Sequence, residues 1–256
     1  MDLADSLRST SLEDGAILFS PQAYPQWINL GLKPIPRFLF RVFTPRSNGQ
    51  MDATVACSRR ALPGNQGRDK DICGTSAPAD TARMIANHLW WRKLEREDNL
   101  VSWTSSTLFA IRCMSYRQYN HNDGSPLEDI SLLVLDTKKF LYDMFIRDLD
   151  LIAAFKCFDN NDNNSLEAID RLRDKPEFYS GESPSQGSLT VRGKCSHISA
   201  QTMVSAGLLN LHNSFLQAWH GVDKENWVRS VQDVRASIGS ALKMEQAPPE
   251  LIGQGS

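Results

Sequence analysis

Leu100-Val-Ser-Trp-Thr-Ser-Ser-Thr-Leu-Phe-Ala110 decides how the fold is read. Residues 100–103 make a short apolar strand, and four consecutive hydroxyl residues, Thr104 to Thr107, follow it. Thr104 or Ser105 is placed to cap a helix over 108–119, because such hydroxyls accept from the free N–H groups of a first turn. Upstream, Phe38-Leu-Phe-Arg-Val-Phe43 reads as an apolar strand carrying one arginine. It runs into Thr44-Pro-Arg-Ser-Asn-Gly49, a turn with Asn-Gly at its tip. Ile130-Ser-Leu-Leu-Val-Leu135 is the strongest strand signal in the chain. It is apolar nearly throughout, so burial on both faces is expected. Ser188-Leu-Thr-Val191 is a further strand candidate.

Met84, Ile85, His88, Leu89 and Trp91 follow Asp80 at helical spacing and predict a helix to about residue 95. Helical or turn segments are expected over about 137–158, 165–173 and 199–209. A long amphipathic helix over 224–244 is carried by Trp227, Val231, Val234, Ile238 and Leu242. Residues 50–76 show no countable period and read as loop. The organisation expected is a leader of short turns over 1–34, one domain over 35–215, a C-terminal amphipathic helix over 216–245 and a flexible tail over 246–256. Strands and helices come in mixed order, without regular βαβ alternation, which points to an α+β class. No glycine fingerprint follows a strand, which disfavours Rossmann and P-loop folds.

A chain of 256 residues can bury one large core. Its 41% hydrophobic and 23% charged residues argue against global disorder. A net charge of −2 gives no general affinity for polyanions, so nucleic acid is a disfavoured partner. Five dispersed cysteines without a CxxC speak against a disulfide framework or a zinc site and for a reducing compartment. The chain starts without a basic and then apolar leader, and no apolar run nears the roughly 20 residues that cross a bilayer. The expectation is an intracellular protein, cytoplasmic or nuclear, with no membrane partner.

Four ordered blocks carry a resemblance: Leu39-Phe-Arg-Val-Phe-Thr-Pro-Arg-Ser-Asn-Gly49, Leu100-Val-Ser-Trp-Thr-Ser-Ser106, Ile130-Ser-Leu-Leu-Val-Leu-Asp-Thr137 and Gly181-Glu-Ser-Pro-Ser-Gln-Gly-Ser-Leu189. Over about residues 36–215 the chain resembles an uncharacterised fungal domain of unknown function, which in turn resembles ADP-ribosyltransferases. That resemblance implies a small split mixed β-sheet with surrounding helices, NAD as cofactor, and ADP-ribosyl transfer or NAD hydrolysis as the activity. It implies an Arg on the first core strand to neutralise NAD phosphate, since guanidinium matches phosphate geometry. It implies a Ser at the end of another strand to orient the assembly, and a Glu to bond a ribose hydroxyl and stabilise the cationic sugar. Carried over, these are Arg41, Ser102 with Thr104 and Ser105, and Glu182. The partner would be an ADP-ribose acceptor or another protein. Trp103 replaces the middle of the Ser-Thr-Ser-like cluster, Ser183-Pro184 follows the glutamate, and Ser180 stands where arginine-modifying transferases carry Glu or Gln. Arginine modification is thereby disfavoured, and a relative that kept the fold and lost the chemistry is the rival reading.

Plainer readings stand beside these. Arg41 could face outward on a half-exposed strand, the hydroxyls could only cap a helix, and Glu182 could be a solvated turn carboxylate. Glu177 is a second candidate acid. Trp90-Trp91 beside Arg92-Lys93 could stack on a nucleotide base or pack on the core. Asp159, Asn161, Asn163 and Asp170 fall at calcium-loop spacing, but Asn164 stands where the loop needs Gly and the twelfth position lacks Glu. No HExxH and no GxSxG occur, so metalloprotease and hydrolase-elbow chemistry have no motif.

Overall fold

The computed structural model describes residues 16–21, 32–62, 71–92, 98–119, 123–160, 165–175, 180–211, 215–216, 219 and 231–237. In chain order the strands are β1 (Ala16–Ile17), β2 (Phe38–Phe43), β3 (Gln50–Met51), β4 (Val55–Cys57), β5 (Leu100–Val101), β6 (Ser131–Asp136), β7 (Ser185–Thr190) and β8 (Cys195–Ser199). The α-helices described in full are α1 (Pro78–Leu89), α2 (Thr107–Tyr119), α3 (Asp148–Phe155), α4 (Leu166–Arg173) and α5 (Ala200–Ser205).

The class is α+β. Strand β6 lies between β2 and β8 in a three-stranded sheet, with Arg41 opposite Leu133. Its apolar run is explained by two cores, one on each face. Leu133 and Leu135 pack with Leu39, Trp103 and Phe145, while Leu132 packs with Ala110, Ile111 and Met114 of α2. The second sheet is built on β7. Strand β1 pairs along one edge of β7, and β5 and β4 follow one another along the other. Gly187 joins those two, donating its N–H to Asn99 O and accepting from Ser58 N–H. It has φ +69°, and a Cβ there would lie 2.6 Å from Ile17 Cδ1, so β1 can close on β7 only over a glycine.

One short segment joins the two sheets. Thr104 exchanges both backbone hydrogen bonds with Phe40 of β2, at 2.8 and 2.9 Å. On the other side Ser183 N–H donates to Trp103 O and Ser105 N–H to Gly181 O. Residues 103–105 are therefore a stitch between β2 and the lead-in to β7. Trp103 fills the core beneath it, 1% exposed, with its indole N–H on Ser185 Oγ at 3.0 Å.

Several sequence expectations are corrected. Every pairing among the described strands is antiparallel, where a mixed sheet was expected. Ser106 caps α2, its Oγ accepting from Phe109 N–H, because Thr104 and Ser105 still belong to the extended stitch. The leader contributes β1, and the stretch read as loop holds the β3–β4 hairpin. Asp52 turns that hairpin by accepting from Thr54 and Val55 N–H, a turn with no hydrophobic period to count. Helix α1 stops at Leu89 and not near 95. Of the long C-terminal helix, 231–237 are helical with Val231 and Val234 buried. Trp227, Ile238, Leu242 and the tail lie outside the described residues.

Trp103→Ala should cost about 3–5 kcal/mol of stability, the usual penalty for emptying a large aromatic site. Chemical denaturation of the two proteins measures it.

Candidate functional site

A pocket of ≈ 400 Å³ opens where the stitch joins the sheets. Arg41 reaches it from β2, His88 from the last turn of α1, Asp98 from just before β5, Ser102 from just after β5, and Glu182 from the lead-in to β7. The pocket brings Arg41, Ser102 and Glu182 together from three distant parts of the chain. Arg41 Nη1 donates to Ser102 O at 2.6 Å. Ser102 Oγ donates to Glu182 Oε1 at 2.5 Å. Arg41 Nε is buried without a hydrogen-bond partner. Burial, then the nearby Arg117 charge, pushes the Arg41 pKa down to about 10, which leaves it cationic at neutral pH.

The other carried-over residues serve the frame. Thr104 lines the pocket, but its hydroxyl is spent on Ser180 O and its backbone on Phe40. Ser105 sits under Gly181, where a Cβ would fall 2.0 Å from its Oγ at φ +65°. The Thr104 hydroxyl is thus engaged within the frame, and Ser105 is not on the pocket wall. The sequence departures are explained in the same terms. The Trp103 ring enters the core, on the face away from the Ser102 hydroxyl. Ser183 donates toward the stitch, so by strand alternation the missing N–H of Pro184 falls on the opposite side, where Pro184 O accepts from Ile146 N–H.

Two residues that sequence reasoning did not assign to the site, His88 and Asp98, bond to one another and reach Ser102 in it. His88 Nε2 lies 2.5 Å from Ser102 Oγ, and His88 Nδ1 lies 2.7 Å from Asp98 Oδ2. A lone histidine on an apolar helix face gives no signal of this, because its partners are ten and fourteen residues away. Burial disfavours the His88 imidazolium, yet the Asp98 charge and hydrogen bond, with Glu182 behind them, raise its pKa above the ordinary 6.5. Burial likewise opposes the Asp98 carboxylate, and His88 overcomes it and lowers the pKa below 3.8. Beneath the site, Arg173 of α4 bonds Glu182 Oε2 at 3.1 Å and approaches Asp148 Oδ2 at 3.3 Å. Burial raises the Asp148 pKa, partly countered by Arg173 and reinforced by Glu182.

The pocket also limits the chemistry. The Cys113 thiol on its wall is pushed by burial up to about 12, so it holds no thiolate at neutral pH. No group of His, Cys, Asp and Glu among the described residues could hold a metal. Asp159 accepts from Leu166 N–H at 2.6 Å and Asp170 pairs with Lys156 at 2.7 Å, so two of the proposed calcium ligands are engaged in other bonds. Residues 161–164 and Glu177 lie outside the described residues. No helix among the described residues is long and apolar enough to cross a membrane.

At the rim, α1 ends with Trp91 in the left-handed region, φ +53°. Trp91 N–H bonds His88 O and Arg92 N–H bonds Asn87 O, the hydrogen bonds of a Schellman ending in which glycine is the usual residue. The Trp91 ring is 51% exposed and sits edge-on to Phe109 at 6.1 Å.

Residues 34–168, more than half of the chain, match the family described as Domain of unknown function (DUF7587). The chain belongs to that family. No curated protein and no solved structure matches it. The DUF7587 span carries Arg41, His88, Asp98 and Ser102, while Glu182 and Arg173 lie beyond its end.

The pH dependence of stability follows from the two shifts. His88 has a raised folded pKa, so its contribution is complete below 6.5 and is lost as pH rises through the folded value. Asp98 has a lowered one, so its contribution is complete above 3.8 and is lost as pH falls through the folded value. The advantage of the wild type over Asp98→Asn should be greatest between pH 3.8 and 6.5 and shrink on the alkaline side. Denaturant midpoints measured across pH check it.

Proposed function

We propose that this DUF7587 protein binds NAD and uses it for ADP-ribosyl transfer or NAD hydrolysis. The observation that carries the reading is the convergence of Arg41, Ser102 and Glu182 on one pocket at the joint of two sheets. The buried, unsatisfied Arg41 Nε is a polar atom with a use for an anionic ligand. The pocket's ≈ 400 Å³ is also within the roughly 300–1,000 Å³ usual for small-ligand sites. The class of fold supports the reading as far as two antiparallel sheets joined at the site; an ADP-ribosyltransferase-type split sheet is part of the proposal.

NAD supplies a glycosidic bond whose departing group is neutral nicotinamide. Arg41 would hold its phosphate. Ser102, fixed through its carbonyl by Arg41, would aim its hydroxyl at Glu182. Glu182 would set a negative charge beside the sugar carbon where positive charge develops, in a site that screens it poorly. Trp91, displayed at the rim, offers a flat surface to a base.

A second reading, an inactive interaction domain on the same fold, is favoured by one specific contact. Glu182 is 4% exposed, with one oxygen on Ser102 and the other on Arg173. A ribose hydroxyl must use the lone pairs that remain.

Titration calorimetry with NAD, on the wild type and on Arg41→Ala, tests the binding half. Loss of one charge-assisted contact should weaken binding about ten- to a hundredfold. Folded wild-type protein that binds nothing at millimolar NAD contradicts the proposal. Nicotinamide release, abolished in Glu182→Gln, then separates a catalyst from a binder that has lost its chemistry.

A further inference from the structure

We propose that Asp98, His88, Ser102 and Glu182 form one proton relay, so that the acid–base unit of the pocket is this chain of four side chains and not Glu182 alone. The inference rests on the NAD reading for its use in catalysis, and on geometry alone for its existence.

The links measure 2.7 Å from Asp98 to His88, 2.5 Å from His88 to Ser102 and 2.5 Å from Ser102 to Glu182. The His88 Nε2 to Glu182 Oε1 distance is 3.9 Å, too long for a direct hydrogen bond, so among the described residues the Ser102 hydroxyl is the bridge. Three hydrogen bonds need three hydrogens. Ionised Asp98 and Glu182 contribute none, Ser102 contributes one and a neutral imidazole one. The full chain therefore carries one proton more. That proton lies either on His88, as the imidazolium, or on Glu182, as the acid. The two forms have the same net charge and interconvert when His88 passes Nε2–H to Ser102 and Ser102 passes its own hydrogen to Glu182.

The charged groups around the chain choose between the forms. Arg173 holds the far oxygen of Glu182 at 3.1 Å. Asp98, just before β5, and Glu182, before β7, favour the imidazolium, while Arg41 on β2 opposes it. With the His88 pKa raised, the balance of these charges favours the proton on His88. Asp98, His88 and Ser102 thus lie at the spacing of a hydrolase triad, but while Nε2 carries its own hydrogen it cannot take that of Ser102. In the relay Ser102 passes protons and forms no covalent bond.

The relay has a use in group transfer. With only two hydrogens in the chain, Ser102 donates to His88 and Glu182 is an open base. An acceptor O–H, water in the simplest case, forms a bond from its oxygen to the ribosyl carbon. The carbon–nitrogen bond to nicotinamide breaks, and nicotinamide leaves with the bonding pair. The acceptor's proton goes to Glu182, Ser102 hands its hydrogen to His88 and takes that of Glu182, and Asp98 holds the imidazolium until solvent removes the proton. His88 and Asp98 are positioning residues in this scheme.

The test is a pH titration of the full chain labelled with ¹⁵N-histidine, which reads the protonation of each ring nitrogen by NMR without any ligand. In the wild type both nitrogens of His88 should be protonated at pH 6.5, and the midpoint should lie above that value. Glu182→Gln should lower the midpoint, and in a Ser102→Ala background the same change should move it less than half as far. A wild-type midpoint at or below 6.5 overturns the relay and needs no variant to fold. An equal effect of Glu182→Gln in both backgrounds also overturns it, since the coupling would then be through space. Failure of NAD binding would remove the acceptor step and leave the titration result standing. NAD binding with no coupling through Ser102 would leave Glu182 acting by itself.

Discussion

Thr104 is held from both sides by backbone hydrogen bonds, to Phe40 in one sheet and through its neighbours to 181–183 at the edge of the other. Everything at the site depends on this stitch. It sets Ser102 two residues from Thr104 on the same face, places Glu182 directly across from Thr104, and brings Arg41, one residue beyond Phe40, within reach of Ser102 O. Strand alternation then decides which side chains meet: Ser102 and Glu182 face the pocket while the Trp103 ring goes down into the core. The tight approach of Ser105 to Gly181 shows how little room the stitch leaves, since any Cβ at 181 would collide with the Ser105 hydroxyl.

The second constraint is electrostatic. Arg41, His88, Asp98, Asp148, Arg173 and Glu182 are gathered in and under one pocket, mostly away from solvent. Taking charges out of water costs several kcal/mol per ion before pairing offsets it, and well-packed apolar residues usually stabilise a core as well. An arrangement with two arginines, a histidine and three carboxyl groups is therefore a poor solution for stability alone. Clusters of perturbed ionisable groups in a cleft concentrate at functional sites. The alternation of signs, from Asp98 through His88 to Glu182 and from Glu182 through Arg173 to Asp148, keeps any one charge from standing uncompensated. Arg41 feels Asp98 and Glu182 without bonding either, with a backbone carbonyl as its hydrogen-bond partner and a buried Nε left over.

Much of this frame was legible in the chain. The run Ile130–Leu135 announced a strand buried on both faces, and it became the middle of a sheet between two cores. Arg41, Ser102 and Glu182 were named through the family resemblance, each in or beside a strand, and the joint of the two sheets gathers them. The short strands β1 and β3 were harder, because two residues carry no period; β1 finds its partner in β7, remote in sequence, and β3 closes only through the Asp52 turn onto β4. His88 and Asp98 were not assigned to the site for a similar reason. His88 looks like one more residue on the face of α1, and Asp98 like a polar residue before a strand; only the close of α1 against β5 makes them neighbours of Ser102. The capping role of Ser106 was displaced from Thr104 and Ser105 because the tertiary stitch claims those residues first.

The central claim is that the joint of the two sheets is a site for an ADP-ribosyl ligand. A crystal structure of the wild-type chain with ADP-ribose tests it most directly. The diphosphate is expected on the Arg41 guanidinium at about 2.7–2.9 Å, the length of a charge-assisted hydrogen bond, with a ribose hydroxyl beside Glu182. A pocket left empty at saturating ligand, or ADP-ribose bound elsewhere with the stitch intact, would contradict it.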